Sequence, residues 1–420
     1  MTNSLNTNTL IEQILLSAPE VMDLTDEVHA RLVTEAADQI LGLGLDLVGI
    51  AELEDRYLMS TEDDSIFILL VLKIVRSKML VRKISDSLNV SVIFAVYKEH
   101  NRIKKKSDHP HGENFLVKKV EQLRWLFSET ANINWELIVV DDGCPEGSGR
   151  IAKEIAVNEN LTEEVRVLFL ADAIEYKKGP VGSLTSTNES QKGGSIVYGM
   201  WDAVQRKGSE DHIVLYTDAD LSTHLGQVGL LLEPILLENK LAAIGSRREA
   251  DSVVVKTGSR NSRGKLFIYL WKRLIAQIGD IVDTQCGFKA FKAEIVEEIV
   301  EGILEKKFAF DIELLLRTSL IRESSIARVG IAWIDSEAAS TTTDLSPYLP
   351  MLKAIVEMYR KYVPAQEESD QFAGFIDSLT EEEFVKLLES IPEAILNREP
   401  YEFTQFKEVK ADDLKKSINS

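Results

Sequence analysis

The sequence predicts an α/β protein: a mostly parallel sheet covered by helices on both faces, with helical regions before and after it. Two observations predict this. Short unbroken apolar runs alternate with helical patterns between about residues 90 and 345, and most of these runs end in polar or acidic residues. Strands buried on both faces read as continuous apolar stretches, the signature of a parallel sheet between helical layers. The expected organisation is a helical N-terminal region (1–88), a central α/β domain (89–345) and a helical, acidic C-terminal region (346–420).

In chain order, Thr25 ahead of Asp26-Glu27 reads as an N-cap, and Leu32, Ala36, Ile40 and Leu41 recur at helical spacing before Gly42 and Gly44 end the helix. Ile66 to Ile84 is strongly apolar yet carries Lys73, Arg76, Lys78, Arg82 and Lys83. It reads either as a basic helix on an anionic membrane surface or, because its apolar residues occupy more than one face, as a core helix. The core helix is the favoured reading. Buried strands follow at Val92–Val96, Glu136–Val140, Val165–Leu170, His212–Tyr216 and Leu241–Ile244, with a helix over Phe115–Ser128. Lys177 to Lys192, rich in Gly, Ser, Thr and Asn, reads as a mobile loop. Thr380 and Glu383 form a capping-box pattern before Phe384, and the stretch from Asn397 reads as weakly ordered.

Composition narrows the function. The chain has 420 residues, 45% hydrophobic, with a formal charge of -20. General nucleic-acid binding needs a basic face to displace counterions, and this balance argues against it. Two cysteines, Cys144 and Cys286, suggest reduced thiols. No basic-then-apolar signal opens the chain, and no apolar run approaches the roughly 18–20 residues of a membrane span. A soluble cytoplasmic protein is expected.

Asp218-Ala219-Asp220 closes the strand His212–Tyr216, where ligands of open α/β sheets bind. Two carboxylates one residue apart can hold a divalent cation, and Mg²⁺ and Mn²⁺ share oxygen ligands with substrate phosphates. Asp141-Asp142-Gly143 closes another strand. Its carboxylates would either bind a nucleoside's N–H and hydroxyl groups or cap the helix at Ser148–Ala156. Lys192-Gly193-Gly194 opens the helix Ser195–Val204, where an anion is attracted.

Together these blocks resemble the family 2 glycosyltransferases. Val92-Ile93-Phe94-Ala95-Val96-Tyr97-Lys98-Glu99 is similar to their first strand and nucleotide loop, and Ile138–Gly143 to their second. The blocks from Lys192 to Met200, Thr217–Asp220, Asp283–Lys289 and Phe310–Leu315 follow in the family's order and spacing. The last two are close to the dolichyl-phosphate glucosyltransferase branch, near the dolichyl-phosphate mannose synthases. The resemblance covers about residues 90 to 345.

The resemblance implies a GT-A fold (Rossmann-like), a nucleotide-sugar donor with UDP-glucose favoured, and a Mg²⁺ or Mn²⁺ ion on Asp218 and Asp220. It places Val96, Tyr97, Glu99, Asp141, Asp142, Lys192, Gly193, Ala219 and Arg247 around the donor. Arg260, Arg263 and Gln285 fall on the acceptor-phosphate side. The family inverts at the anomeric carbon. A hydroxyl acceptor needs a carboxylate base, for which Asp311 is the candidate, ahead of Asp283 and Glu313. Asp311 could instead only cap its helix.

Departures are Ala95 and Lys98 in the first loop, Thr341 where the family carries a basic residue, and the absence of the hydrophobic tail or anchor of the lipid-phosphate branches. That absence favours a soluble acceptor over a polyprenyl phosphate met peripherally at a membrane. A sugar-nucleotide nucleotidyltransferase would carry a glycine-rich loop after the first strand, which Tyr97–Asn101 lacks, and a non-catalytic nucleotide-binding scaffold is a further alternative. The acceptor, and whether residues 1–88 serve its recognition or a homo-oligomer, are left open by the sequence.

Overall fold

The structure is a computed structural model, and it describes residues 2–59, 65–255, 261–335 and 348–419. Four helices come first: α1 (Thr2–Leu16), α2 (Glu27–Leu41), α3 (Leu47–Leu58) and α4 (Ser65–Val81). The α/β part follows as β1 (Leu88–Val96), α5 (Phe115–Phe127), β2 (Ile133–Asp141), α6 (Ser148–Asn158), β3 (Val165–Phe169), α7 (Leu170–Glu175), α8 (Gly193–Lys207) and β4 (His212–Thr217). It continues through α9 (Val228–Leu237), β5 (Ala242–Ser246), β6 (Val253–Val255), α10 (Asn261–Leu274), β7 (Phe288–Lys292), α11 (Ala293–Val300), α12 (Phe310–Ile321), β8 (Ile326–Gly330) and β9 (Ala332–Ile334). Helices α13 (Tyr348–Tyr362), α14 (Glu367–Ser378), α15 (Glu381–Glu389), α16 (Glu393–Leu396) and α17 (Ala411–Asn419) close the chain.

Among the described residues the main sheet has seven strands in the order β3-β2-β1-β4-β7-β5-β8. The paired strands run parallel except β7, which is antiparallel to both β4 and β5. The fold is therefore α/β, GT-A and Rossmann-like, with helical extensions. β2 lies on one side of β1 and β4 on the other, so the strand order reverses there and leaves a crevice at the carboxyl ends. Register brings the chemistry to that edge. Val96 pairs with Asp141, and Thr217 pairs with Phe288. Because β7 runs backwards, the residues just before it, Gln285 to Gly287, meet the residues just after β4.

Both extensions are packed into the same two cores as the sheet. α4 is buried along nearly its whole length and lies against α2, α3, α5 and α9. Of the two readings of this helix, the core one holds. Lys73 and Lys78 are buried with it, paired to Asp251 and to the Trp125 carbonyl. On the other face, α10 is wrapped by α13, α14 and α16. Tyr269 stands at its centre, 5.3 Å from the Phe403 ring and 5.9 Å from the Phe406 ring, and its hydroxyl donates to the Val409 carbonyl.

Three local expectations are corrected. The cap of α2 is Asp26, whose carboxylate accepts from the Val28 and His29 N–H groups, whereas Thr25 bonds Asp23. The stretch from Asn397 is ordered, because Phe403, Phe406, Val409 and Leu414 are buried anchors in an otherwise polar sequence. The segment Lys177–Lys192 forms turns of 3₁₀ helix at Gly179–Val181 and Thr187–Glu189, with Val181 and Ser190 buried. Its small polar residues bond one another and neighbouring loops; they do not leave the backbone free. The capping box at Thr380 and Glu383 is present as expected.

The contact between α4 and α9 is close enough to test. A Cβ on Gly229 would stand 2.4 Å from the Ser77 carbonyl oxygen. Gly229→Ala is expected to lower stability by about 1–3 kcal/mol through overpacking, read as a lower denaturant midpoint with an unchanged slope.

Candidate functional site

The site is an arrangement of carboxylates, each held by a cation or by N–H groups. Asp218 and Asp220 follow β4 at the crevice. A Cβ on Gly287 would lie 2.3 Å from Asp218 Oδ1, so glycine is what lets β7 enter this close to the carboxylate. The Lys192 ammonium donates to the same oxygen. The two side chains keep 30% and 35% of their exposure, so the pair faces an opening. Burial disfavours both charges, but the partners outweigh it: Asp218 titrates lower than an ordinary carboxyl and Lys192 higher than an ordinary amine. The charges of Arg247 and Lys289 also reach Asp218.

Asp220 is different. Burial and the adjacent Asp218 charge raise its carboxyl above the usual range. Its Oδ1 accepts from the Ser222 N–H at 3.0 Å, and its carbonyl accepts from the buried Lys119 ammonium at 2.7 Å. Burial lowers Lys119 to about 8, against the pull of Asp220 and Asp218. A carboxylate raised by the charge of a neighbouring carboxylate makes with it a donor set suited to a hard divalent cation. Among the described residues no group of three or more His, Cys, Asp or Glu is arranged to hold a metal. A cation on Asp218 and Asp220 would thus take its other ligands from water and phosphate, as Mg²⁺ commonly does.

Arg247, directly after β5, is fixed by Asp283. Its Nε and Nη2 donate to the two carboxylate oxygens at 2.8 and 2.7 Å, and its backbone N–H donates to Oδ2 at 2.8 Å. Its guanidinium lies 5.3 Å from the Trp333 ring centroid. Burial opposes the charge on Asp283, but Arg247 overcomes it and holds that carboxyl at about 2. Asp283 is the counter-charge of Arg247.

The Asp141-Asp142 turn organises loops. Asp141 accepts from the Cys144 and Gly149 N–H groups at 2.9 and 2.6 Å, fixing the start of α6. Asp142 accepts from the hydroxyls of Ser190 and Ser195, both at 2.6 Å, and from the Lys192 N–H at 2.9 Å. It thereby sets the turn that presents Lys192, whose φ of 78° is in the left-handed half of the map. Gly193 packs against the carbonyls of Lys306 and Lys307. Val96 is buried with its carbonyl bonded to the Asp142 N–H, Tyr97 is half-exposed at the rim, and Ala219 is partly buried between the two aspartates.

The remaining sequence candidates separate. Asp311, in the first turn of α12, caps nothing: its Oδ1 receives the Tyr216 hydroxyl and, at 2.6 Å, the fully buried Lys289 ammonium. Glu313 is fully buried and accepts from the Leu304 and Glu305 N–H groups and from the Tyr362 hydroxyl of α13. It holds the loop whose Lys306 carbonyl accepts from Gly194. Gln285 is partly buried, next in sequence to Cys286, whose carbonyl accepts from the Lys289 ammonium. Arg263 is exposed at the start of α10, whereas Arg260 and Thr341 lie outside the described residues. Sequence reasoning missed Lys119, Lys289 and Tyr216. A signal existed for the first: Lys119 is spaced four residues from both Phe115 and Leu123, on the apolar stripe of α5.

Fold and site together define a GT-A protein built around a doubly acidic strand end. No family model matches the chain. It is similar to a dolichyl-phosphate beta-glucosyltransferase of Drosophila melanogaster, 27% identical over 288 residues, 66% of this chain and 77% of that protein. A dolichyl-phosphate beta-glucosyltransferase of Trichomonas vaginalis is 27% identical over 256 residues, 60% of this chain and 67% of that protein. Glycosyltransferase AglD of Haloferax volcanii is 26% identical over 228 residues, 54% of this chain but 30% of its own length. The resemblance read from the motifs is borne out, and with it the expectation of a glycosyltransferase.

Glu99, in the first loop, offers a pH test. Burial raises its carboxyl to about 7, with Arg102 opposing at 2.9 Å and Glu113 and Asp220 adding to the rise. A raised acid binds more protons folded than unfolded, so its contribution is present at low pH and lost as pH climbs from its ordinary 4.5 towards 7. Glu99→Gln removes that loss. Relative to the wild type, its melting temperature is expected to rise between pH 4 and pH 8, by an amount worth on the order of 1–3 kcal/mol.

Proposed function

We propose that this chain transfers a hexose, with glucose as the first candidate, from a nucleoside-diphosphate sugar to the phosphate of a polyprenyl-phosphate acceptor. The observation that carries the donor half is the placing of Asp218 and Asp220 at the crevice with Lys192 on one side and Arg247 in reach. Carboxylates and fixed cations around one opening suit a diphosphate together with a divalent ion. Asp218 and Asp220 would hold Mg²⁺ or Mn²⁺, which when bound neutralises charge on the leaving nucleoside diphosphate. Arg247 adds positive charge that needs no reorganisation, because Asp283 already holds it, and Lys192, whose backbone Asp142 fixes and whose ammonium rests on Asp218, adds a second charge beside the same opening. Tyr97 and Glu99 line the rim on the nucleoside side.

The acceptor half rests on what the carboxylates are already doing. Asp283 is spent on Arg247, Glu313 on two N–H groups and Tyr362, and Asp311 Oδ1 on Lys289 and Tyr216. A hydroxyl nucleophile needs a base; a phosphate oxygen is already anionic and does not. The acceptor oxygen would attack the anomeric carbon in line as the bond to the donor's phosphate breaks, inverting that centre. The acceptors named in two of the relatives, dolichyl phosphates, have this chemistry. Arg263, exposed at the start of α10, would meet such a phosphate. Among the described residues no helix is long and apolar enough to cross a membrane.

Two experiments test the halves separately. UDP with Mn²⁺ is expected to raise the melting temperature of the wild type and to leave Asp220→Ala unmoved; an equal rise in both would remove Asp220 from the metal site. In a transfer assay with labelled UDP-glucose, label is expected in polyprenyl phosphate, and Asp311→Asn is expected to keep its rate within about tenfold. A loss of roughly 10²–10⁴-fold with normal stability would make Asp311 the base and favour a hydroxyl acceptor. Pyrophosphate release from a nucleoside triphosphate would point to a nucleotidyltransferase.

A further inference from the structure

Lys73 lies in the middle of α4, in the N-terminal helical region, and is 1% exposed. An ammonium in such a place is unfavourable unless it is paired. Its Nζ donates to Asp251 Oδ2 at 2.7 Å, across 178 positions of chain. Asp251 belongs to the short segment between β5 and β6 that begins with Arg247.

That segment is tied at both ends. At its start the Arg247 guanidinium grips Asp283 and faces Trp333 of β9. At its far end Val253 opens β6, which pairs with β9 through Val253↔Ala332 and Val254↔Trp333. Between these ties the backbone is braced by the Ser252 hydroxyl on the Ser246 carbonyl and by the Glu249 N–H on Ser252 Oγ. Asp251 is also wedged against the backbone at Gly330, where a Cβ would lie 2.0 Å from its Oδ1. α4 packs against both β6 and β9. One turn from Lys73, Arg76 pairs with Glu54 of α3 and Glu233 of α9, which fixes α4 in turn. A line of charge thus runs from α3 through α4 into the loop that carries Arg247.

We propose that Lys73 is a positioning residue of the donor site: through Asp251 the N-terminal helical region holds the Arg247 segment and presets its guanidinium. What Arg247 meets rests on the function proposed above; the coupling between α4 and the segment does not.

The test uses the full chain with Lys73→Met, which keeps length and loses charge, and Asp251→Asn, whose side chain is 46% exposed and replaceable without a core defect. Arg82→Ala, which breaks a surface pair with Glu129, is the control. Hydrogen exchange of residues 247–255 and titration with UDP and Mn²⁺ are measured for each. Both pair variants are expected to exchange at least about tenfold faster in that segment and to bind UDP–Mn²⁺ about five- to tenfold more weakly. The double variant is expected to be no worse than either single one. Unchanged exchange of 247–255 in folded Asp251→Asn would overturn the proposal, as would faster exchange with unaltered UDP–Mn²⁺ affinity. Faster exchange in a protein whose wild type binds no UDP–Mn²⁺ would instead overturn the donor reading and leave the coupling standing.

Discussion

Carboxylates crowd one end of the sheet in a chain that is already strongly acidic, and keeping them charged there is the constraint on which the arrangement depends. Asp218 with Asp220, Asp283, and Asp311 are drawn from three separate stretches of chain. Each would be costly in a low-dielectric setting without a cation. Lys192 before α8, Arg247 after β5 and Lys289 of β7 pair with Asp218, Asp283 and Asp311, whereas Lys119 of α5 bonds the Asp220 carbonyl and reaches its carboxylate only through space. The pairing is uneven. Asp218 and Asp283 are stabilised as anions, whereas Asp220 is left under strain of charge. A site with one unsatisfied anion beside a satisfied one is ready for a further positive charge.

The antiparallel strand β7 makes this geometry possible. Parallel neighbours deliver only their carboxyl ends to the crevice. Running the other way, β7 brings the chain preceding it, Asp283 to Gly287, to the same edge, and sends Lys289 into the interior below. The glycine at 287 allows the contact with Asp218, and the lysine at 289 neutralises Asp311. The same feature commits Asp311 Oδ1 to Lys289 and Tyr216.

The terminal regions are part of this arrangement. α4 reaches the Arg247 segment through Lys73, and α13 reaches the Lys192 turn through Tyr362, Glu313 and the loop at Lys306. The two cationic arms of the site are therefore each braced from outside the sheet. The C-terminal helices also close over α10, burying Phe267, Tyr269 and Trp271.

The sequence by itself determined the fold class, the strand ends and the presence of Asp218 and Asp220 at one of them, because apolar runs and the residues that end them are local features. Asp283, Asp311 and Glu313 were legible as acids near the site. Their roles were not, since a carboxylate's chemistry depends on what faces it, and Arg247, Lys289 and the Leu304 N–H come from distant positions. The order of the lower part of the chain was also hidden, because Phe403 and Leu414 have meaning only against Tyr269 and its neighbours. Tertiary structure alone decided which anions are paired and which is left wanting a cation. Charge compensation acts through space over a few ångströms, and sequence separation does not record it.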